Sequence, residues 1–265
     1  DQNNSKAQYN LGMIYLDDKY EVQNIEKAIH YLSLAADQGD QDAQLNLGEI
    51  YKEGELVDYN IELSIHYYKM AADQNNSKAQ YNLGMIYLDD DYGVQNILKS
   101  IHYFSLASNQ GDKYSQYKLG LIYSLQQYGV CNVKKAINYF TLAANQNYSE
   151  AQYGLGVLYY EDKYNNIDID KSISYFTLAA NQNDVRAQFN LGIIYEKSVH
   201  DLKKSFHYYQ LAAENKFPEA LFKIGFLYEN GQNIKKAIDC YELAAKENSP
   251  AAQYKLGLIY SDGKY

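Results

Sequence analysis

The sequence predicts an all-α solenoid, a right-handed superhelix of antiparallel helix pairs, and three observations lead to this fold class. A Leu-Gly or Ile-Gly dipeptide recurs eight times, with its glycine at Gly12, Gly48, Gly84, Gly120, Gly156, Gly192, Gly225 and Gly257. The first five intervals are 36 residues long, and the last two are 33 and 32. A tyrosine stands three residues after every one of these glycines, and apolar residues with helical spacing surround them.

Each repeat begins with the helix that carries this motif, which we call helix A. In the first repeat Ala7, Leu11 and Ile14 have the i, i+4, i+7 spacing of one helix face. A loop over residues 17–23 follows, and then a more hydrophobic helix, helix B, whose apolar residues run over 28–36. Neither helix can bury its apolar face alone, so each pair must dock on the next.

Both ends of helix B carry strong local signals. An Asn or Asp, which can cap free N–H groups, precedes its first turn in every repeat: Asn24, Asn60, Asn96, Asn132, Asp168, Asp201 and Asn233. Gly or Asn, which tolerate the left-handed conformation that ends helices, stand at six of the seven far ends: Gly39, Asn75, Gly111, Asn147, Asn183, Lys216 and Asn248. Lys216 is the exception.

The joint between repeats has constant length, whereas the loop inside a repeat varies. Twelve residues separate the last small residue of helix B from the next motif glycine throughout, as from Ala36 to Gly48, and only the loops of the sixth and seventh repeats are shorter. We therefore expect one continuous array over residues 1–265, with seven helix pairs and a final helix A. The chain has no initiating Met and starts just before a helix A, so we expect it to be a piece of a longer protein.

Composition excludes several classes of function. The net charge of −9 argues against nucleic acid as a partner. The chain has no run of about 18 apolar residues, which predicts no membrane insertion. Two cysteines three repeats apart, Cys131 and Cys240, cannot form a disulfide and favour a cytoplasmic location. No HExxH, GxSxG, phosphate-binding loop or CxxC occurs, so we expect neither catalysis nor a cofactor or metal.

The third repeat carries a family resemblance. Its segments Ala-Gln-Tyr-Asn-Leu-Gly-Met-Ile-Tyr (79–87), Tyr-Gly-Val (92–94) and Lys-Ser-Ile-His-Tyr-Phe (99–104) resemble the Sel1-like repeat, which is close kin to the tetratricopeptide repeat. The pattern recurs in register over essentially the whole chain. The family's Gly-x-Gly-Val loop survives only in part, as in 92–94 and 128–130. The resemblance implies an adaptor or scaffold that gathers other proteins.

By analogy with tetratricopeptide arrays, helix A forms the inner wall of the superhelix. One position of this helix carries a mostly aromatic ladder: Tyr9, Leu45, Tyr81, Tyr117, Tyr153, Phe189, Phe222 and Tyr254. These rings line a concave groove, where tyrosine offers broad contact area at low entropic cost, or they pack between repeats as part of the family consensus. The sequence leaves both interpretations open.

More informative are the positions that vary while their neighbours stay constant. Four residues after the ladder, the same face has Met13, Glu49, Met85, Leu121, Val157, Ile193, Phe226 and Leu258. The next turn adds Leu16, Lys52, Leu88, Ser124, Tyr160, Glu196 and Glu229. If these side chains face the groove, they form an apolar binding strip with scattered charges. If they lie between repeats, they are ordinary core.

We expect a protein-interaction scaffold that binds an extended peptide or a helix in the groove, with no nucleic acid partner. The predicted contact residues are Tyr81, Met85, Leu88, Tyr117, Leu121, Tyr153, Val157, Tyr160, Phe189, Ile193, Phe222 and Phe226. Two alternatives stay open. In the first alternative, the chain is the targeting or regulatory arm of a larger enzyme such as a protein kinase. In the second, it is a structural protein that associates end to end.

Acidic residues recur in the loops that follow helix A. They occur at Asp17-Asp18, Glu53 with Glu55, Asp89-Asp90-Asp91 and Glu161-Asp162. The third cluster lacks the alternating ligands and the terminal Glu of a calcium-binding loop. These clusters either stay solvated or form an acidic rim that attracts basic partners.

Overall fold

A computed structural model describes residues 4–17, 23–161 and 167–261. These residues form fifteen α-helices and no strand. The contacts divide the chain into two compact units, residues 1–132 and 133–265. The acidic residues Asp18 and Asp162 and most of the expected loop over 17–23 lie outside the described residues.

Helix A and helix B alternate along each unit, so odd numbers denote helix A and even numbers helix B. The first unit contains α1 (Ser5–Leu16), α2 (Ile25–Asp37), α3 (Gln41–Glu53), α4 (Ile61–Asp73), α5 (Ser77–Leu88), α6 (Ile97–Asn109) and α7 (Lys113–Ser124), followed by a 3-10 turn at Gln126–Tyr128. The second contains α8 (Val133–Ala144), α9 (Ser149–Tyr160), α10 (Ile169–Ala180), α11 (Val185–Lys197), α12 (Leu202–Glu214), α13 (Pro218–Asn230), α14 (Ile234–Lys246) and α15 (Pro250–Ser261).

Consecutive helices pack on each other within each unit. The prediction of an all-α fold built from stacked helix pairs is therefore confirmed. The expectation of one continuous array over 1–265 stays a prediction.

The local signals at the ends of helix B act as expected. A capping side chain accepts a hydrogen bond from a first-turn N–H at Asn24, Asn60, Asn96, Asp168, Asp201 and Asn233. Beyond the far end, all seven predicted terminator residues have a positive φ, including Lys216 at 58°. The sequence therefore defines both ends of helix B through local physical chemistry.

The motif glycine lets helix A approach helix B closely. A Cβ on Gly48 would lie 2.7 Å from the Tyr68 ring, and one on Gly156 would lie 2.5 Å from the Phe176 ring. Such distances are impossible for real atoms, so only glycine allows these rings to lie flat on the helix A backbone. In some repeats a serine of helix B also bonds to this glycine. For example, Ser64 Oγ donates a hydrogen bond to the Gly48 carbonyl at 2.7 Å.

The tyrosine three residues after the glycine stacks on a tyrosine of helix B. Parallel ring pairs have centroid separations of 5.5–5.9 Å in five repeats: Tyr15–Tyr31, Tyr51–Tyr67, Tyr87–Tyr103, Tyr159–Tyr175 and Tyr195–Tyr208. A lysine ammonium covers several of these rings, for example Lys99 over Tyr87 at 4.9 Å from the centroid. This stack explains why the tyrosine recurs.

Buried glutamines link each repeat to the preceding one. Gln44 Nε2 donates a hydrogen bond to the Ala36 carbonyl at 2.9 Å, and Gln44 Oε1 accepts one from Gln74 Nε2 at 2.9 Å. Gln80 makes equivalent contacts with Ala72 and Gln110. Each of these helix A glutamines thus links the end of the preceding helix B to the end of the helix B in its own repeat. The buried amide groups therefore set the register between repeats.

Candidate protein-binding face

The predicted contact residues lie on the side of helix A that neighbouring helices leave partly uncovered. We call this surface the helix A face. Eleven of the twelve are half-buried and Phe226 is exposed. Ser124, which the sequence pattern places on the same face, is instead buried, and its hydroxyl donates to the Leu121 carbonyl at 2.9 Å. Its short side chain folds back onto its own helix, so it presents nothing to a partner.

The aromatic ladder combines the two roles that the sequence left open. Four of its rings pack at a tilt on the helix B aromatic of their own repeat, with centroids 5.4–5.7 Å apart: Tyr81–Phe104, Tyr153–Phe176, Phe189–Tyr209 and Phe222–Tyr241. The rings therefore contribute to packing, yet they stay half-buried. Part of each ring remains accessible from the helix A face.

Three ladder residues meet in one groove of about 620 Å³ in the first unit. We call it the first-unit groove. It crosses α1, α3 and α5 and reaches the start of α7. Its lining consists of Tyr9, Asp42, Leu45, Asn46, Glu49, Ser77, Lys78, Tyr81, Asn82, Asp112 and Tyr114. Adjacent helix A side chains are joined there, since Asn46 Nδ2 donates to the Tyr9 hydroxyl at 3.3 Å.

Two predicted contact residues lie in a different depression. Met85 and Leu88 line a cavity of about 480 Å³ together with Asp89, Asp90, Gln95, Ile97, Gln127 and Tyr128. This cavity is at the far end of α5, among the loops that follow helix A. The structure thus separates Met85 and Leu88 from the groove that contains Tyr81.

Sequence reasoning missed the polar lining of the first-unit groove. Asn46 and Asn82 follow the ladder residue directly, and Asp42 and Tyr114 lie in first turns of helix A. The recurrence of Asn at this position, also at Asn10 and Asn190, was the available signal.

The charge of the chain is concentrated in the first unit. Residues 1–132 contain 18 Asp and Glu against nine Lys and Arg, whereas residues 133–265 contain 15 of each. The formal charge of −9 is therefore carried by the first unit, and the second unit is neutral.

Charges on the helix A face of the second unit neutralise one another. Lys223 Nζ lies 3.3 Å from Glu196 Oε2, and Lys255 Nζ lies 2.9 Å from Glu229 Oε1. Tyr209 donates a further hydrogen bond to Glu196 at 2.6 Å. Burial alone would raise the pKa of Glu196, but the Tyr209 hydrogen bond and the Lys223 charge outweigh it and lower the pKa.

Lys118 lies on the helix A face of the first unit, beyond the groove. Lys118 on α7 occupies the position that Asn46 and Asn82 hold in earlier repeats. It is half-buried, and this burial lowers the pKa of its ammonium. Lys118 marks the end of the acidic stretch.

Only one acidic cluster in the described residues has the spacing of a metal site. Oxygens of Asp89, Asp90 and Asp91 lie within 4.8 Å of one another. Asp90 and Asp91 are exposed, and Asp89 Oδ1 accepts a hydrogen bond from the Asp91 backbone N–H at 3.0 Å. These features belong to a solvated turn, and we assign it no ligand.

The whole repeat pattern matches one family model. The Sel1 repeat model matches residues 5–40, 41–76, 77–112, 113–148, 149–184, 185–217, 218–249 and 250–265. The chain belongs to the Sel1 repeat family. Among curated proteins, no sequence matches it.

Solved Sel1 repeat structures are similar along nearly the whole chain. A Sel1 repeat protein from Oxalobacter formigenes is 26% identical with a TM-score of 0.78, and the match covers 97% of this chain and 76% of that one. The c5321 protein, a protective antigen present in uropathogenic Escherichia coli strains that displays an SLR fold, is 26% identical with a TM-score of 0.58. That match covers 99% of this chain and 65% of c5321.

Membership of the Sel1 repeat family indicates the usual role of this fold. This fold generally mediates protein–protein interaction, and Sel1 solenoids are typically non-catalytic scaffolds. Within the described ranges, none of the Sel1 helices combines the length and the apolar character needed to span a bilayer.

Proposed function

We propose that this Sel1 array is an interaction scaffold that binds an extended peptide or a helix of a partner protein on its helix A face. The observation that carries the proposal is the first-unit groove, where Tyr9, Leu45 and Tyr81 converge from three successive A helices. Concave surfaces that combine apolar side chains with a few polar groups are the usual binding sites of proteins.

The distribution of polar groups in the groove supports a peptide as the ligand. Asn46 and Asn82 offer both amide donors and carbonyl acceptors beside the rings of Tyr9 and Tyr81. A peptide backbone presents both kinds of group along its length, and it needs partners for them when water is displaced. Aromatic side chains supply contact area, and the amides supply orientation.

We also propose contact residues on the helix A face of the second unit. They are the half-buried side chains of Tyr153, Val157, Tyr160, Phe189, Ile193 and Phe222, together with the exposed side chain of Phe226. In the first unit, Met85, Leu88, Tyr117 and Leu121 are the further candidates. Rings such as Tyr81 and Tyr153 are already held by helix B aromatics, so a partner would meet a partly preorganised surface there.

The test is a selection of random dodecapeptides displayed on phage against the folded chain. Selected peptides are then measured against a Tyr9→Leu/Tyr81→Leu variant, which replaces each ring with the residue that position 45 already carries. We expect affinity to fall at least about tenfold, as for loss of central aromatic contacts. The matched control is Leu98→Ala, because Leu98 on helix α6 is 72% exposed and lies outside the groove.

Circular dichroism of each variant establishes that the fold is retained. Peptides that bind the wild type and the Tyr9→Leu/Tyr81→Leu variant equally well, but lose affinity for Leu98→Ala, would place the site on helix B and refute the proposal.

A further inference from the structure

We infer that the first-unit groove takes an extended, basic segment of a partner protein, with Arg or Lys side chains between its acidic groups and tyrosine rings. This inference rests on the proposed function and specifies the chemistry of its ligand.

The groove itself carries more acidic than basic side chains. Asp42, Glu49 and Asp112 line it, and Lys78 is the only basic residue among its described lining residues. Glu49 is exposed and has no ion-pair partner among the described residues. Asp42 pairs with Lys6 at 3.5 Å, but both side chains are more than half exposed, so water and salt weaken that pair. Asp112 Oδ2 already accepts a hydrogen bond from the Ser115 backbone N–H at 2.7 Å, so Asp42 and Glu49 are the carboxylates available to a basic ligand.

The surrounding field acts in the same direction. The first unit carries a formal charge of −9, whereas the second unit is neutral and pairs the charges of its helix A face internally. Charge complementarity raises the association rate of an oppositely charged ligand and disfavours a like-charged one. A basic segment would therefore be drawn to the first unit, and an acidic segment would be repelled from it.

The tyrosines of the groove are suited to cations. Lys6 Nζ lies 4.9 Å from the Tyr9 ring centroid, and Lys113 Nζ lies 5.3 Å from that of Tyr114. These internal lysines indicate that the rings are accessible to cations from the solvent side. An arginine of the ligand that displaces such a lysine would gain both ring contact and a bidentate carboxylate partner.

The spacing expected between packed helices suits an extended chain. A polyproline II chain repeats every three residues, about 9.3 Å, which matches the roughly 8–10 Å between packed helices. Every third side chain would therefore meet the next A helix in an equivalent position.

The probes are three fluorescein-labelled dodecapeptides, (Ser-Pro-Arg)4, (Ser-Pro-Gln)4 and (Ser-Pro-Glu)4, which share length and polyproline II preference. Binding is measured by fluorescence anisotropy at two salt concentrations. We expect the Arg peptide to bind at least about tenfold more tightly than the Gln peptide, and the Glu peptide not to bind. We expect the double variant Asp42→Asn/Glu49→Gln to weaken the Arg peptide by about three- to tenfold.

A charge-matched control separates the groove from the general field of the protein. Glu55→Gln/Glu62→Gln also removes two exposed carboxylates from the first unit, but neither residue lines the groove. Equal weakening by both double variants would overturn the inference, because binding would then follow net charge alone.

The remaining outcomes distinguish the inference from the proposed function. If the Gln peptide binds as tightly as the Arg peptide and both are lost with Tyr9→Leu/Tyr81→Leu, the groove binds peptides but the basic preference is wrong. If none of the three peptides binds while phage-selected peptides depend on Tyr9 and Tyr81, the inference fails and the proposed function stands. If no peptide of any origin depends on Tyr9 and Tyr81, both fail.

Discussion

The Phe104 ring packs directly against the backbone of Gly84, since a Cβ at Gly84 would lie 2.6 Å from Phe104 Cδ1 and Cε1. Phe104 is fully buried, and Ser100 closes the contact with a 2.8 Å hydrogen bond to the Gly84 carbonyl. The ring cannot retreat without disturbing the rest of the core. The motif glycine is thus a packing requirement of the helix pair.

We expect Gly84→Ala to destabilise the chain by about 1–3 kcal/mol, the cost of forcing an extra carbon into a packed core. The midpoint of urea unfolding followed by circular dichroism measures this effect. Gly257→Ala is the matched control, because its Cβ would meet no atom of the described residues within 4 Å. There alanine should stabilise helix α15 by up to about 1 kcal/mol. An equal loss at both positions would contradict the packing explanation.

The ends of helix B were predictable from the sequence, whereas the packing partner of the motif glycine was not. Asn96 and Gly111 could be assigned to the ends of helix B because the groups they serve lie within a few residues. Gly84 was recognised as a repeat marker, but its partner Phe104 is 20 residues away and no local rule connects them.

The candidate site was less predictable for the same reason. Helical spacing put Tyr81, Met85 and Leu88 on one face, and all three are half-buried. Helical spacing could not show that Tyr81 and Tyr9 line the same groove, whereas Met85 lines a different cavity. Which depression a side chain enters depends on the neighbouring repeats, and the period alone does not specify that.

The glutamine network has a gap in the sixth repeat. Gln152 Oε1 accepts a hydrogen bond from Gln182 Nε2 at 2.7 Å, but Gln188 Oε1 is buried without a partner in the described part of the chain. The residue that corresponds to Gln182 is Asn215, which is one methylene shorter and donates to the Leu211 carbonyl instead.

We expect Asn215→Gln to reach Gln188 and to stabilise the chain by about 1 kcal/mol, the usual net value of such a hydrogen bond. The unfolding midpoint in urea reports the gain. The reciprocal change, Gln182→Asn, should leave Gln152 Oε1 without its donor and lower the midpoint. If both variants unfold like the wild type, the amide network adds nothing to stability.

Tyrosines at one position of helix B have different hydrogen bonding. Tyr241 donates to Glu229 Oε2 at 2.6 Å. The Tyr68 hydroxyl is buried without a well-formed hydrogen bond to any residue that the structure describes. Burial raises the pKa of Tyr68 and outweighs the opposing effect of the Asn82 amide. Other repeats place Phe104, Phe140 and Phe176 at this position, so the core accepts a phenyl ring.

The same substitution should therefore have opposite consequences at these two tyrosines. We expect Tyr68→Phe to be neutral or to stabilise the chain by up to about 1 kcal/mol, because it removes a buried hydroxyl that makes no well-formed hydrogen bond. Tyr241→Phe should cost about 1.5–3 kcal/mol, the value of a hydrogen bond to a charged group. The midpoint of thermal unfolding of each variant at pH 7 tests this expectation. Equal changes in the two midpoints would show that the hydrogen bond to Glu229 does not contribute to stability.

Lys216 adopts a left-handed backbone that its neighbours in other repeats reach with Gly or Asn. Its φ is 58°, close to the 64° of Asn183 at the equivalent position. A lysine side chain in this region costs energy that asparagine largely avoids. We expect Lys216→Asn to raise stability by about 0.5–1 kcal/mol in urea unfolding. Lys246→Asn, at the last residue of helix α14, is the control and should be slightly destabilising, because it removes a cation from the last turn.

The buried tyrosines also determine how stability responds to alkali. Burial, followed by the hydrogen bond to a negative glutamate, raises the pKa of Tyr209 and of Tyr241. In the unfolded chain a tyrosine loses its proton near pH 10. Above that pH the folded chain must retain a proton that the unfolded chain releases. The stabilisation is therefore complete below about pH 10 and is lost as the pH rises further.

Each such tyrosine should steepen the fall in unfolding free energy by up to about 1.4 kcal/mol per pH unit above pH 10. Urea unfolding of the wild type and of a Tyr209→Phe/Tyr241→Phe variant between about pH 8 and pH 11 tests this. The variant should start less stable, because two hydrogen bonds to Glu196 and Glu229 are gone, yet lose stability more slowly above pH 10. Parallel curves for the two proteins would mean that other tyrosines control the alkaline transition.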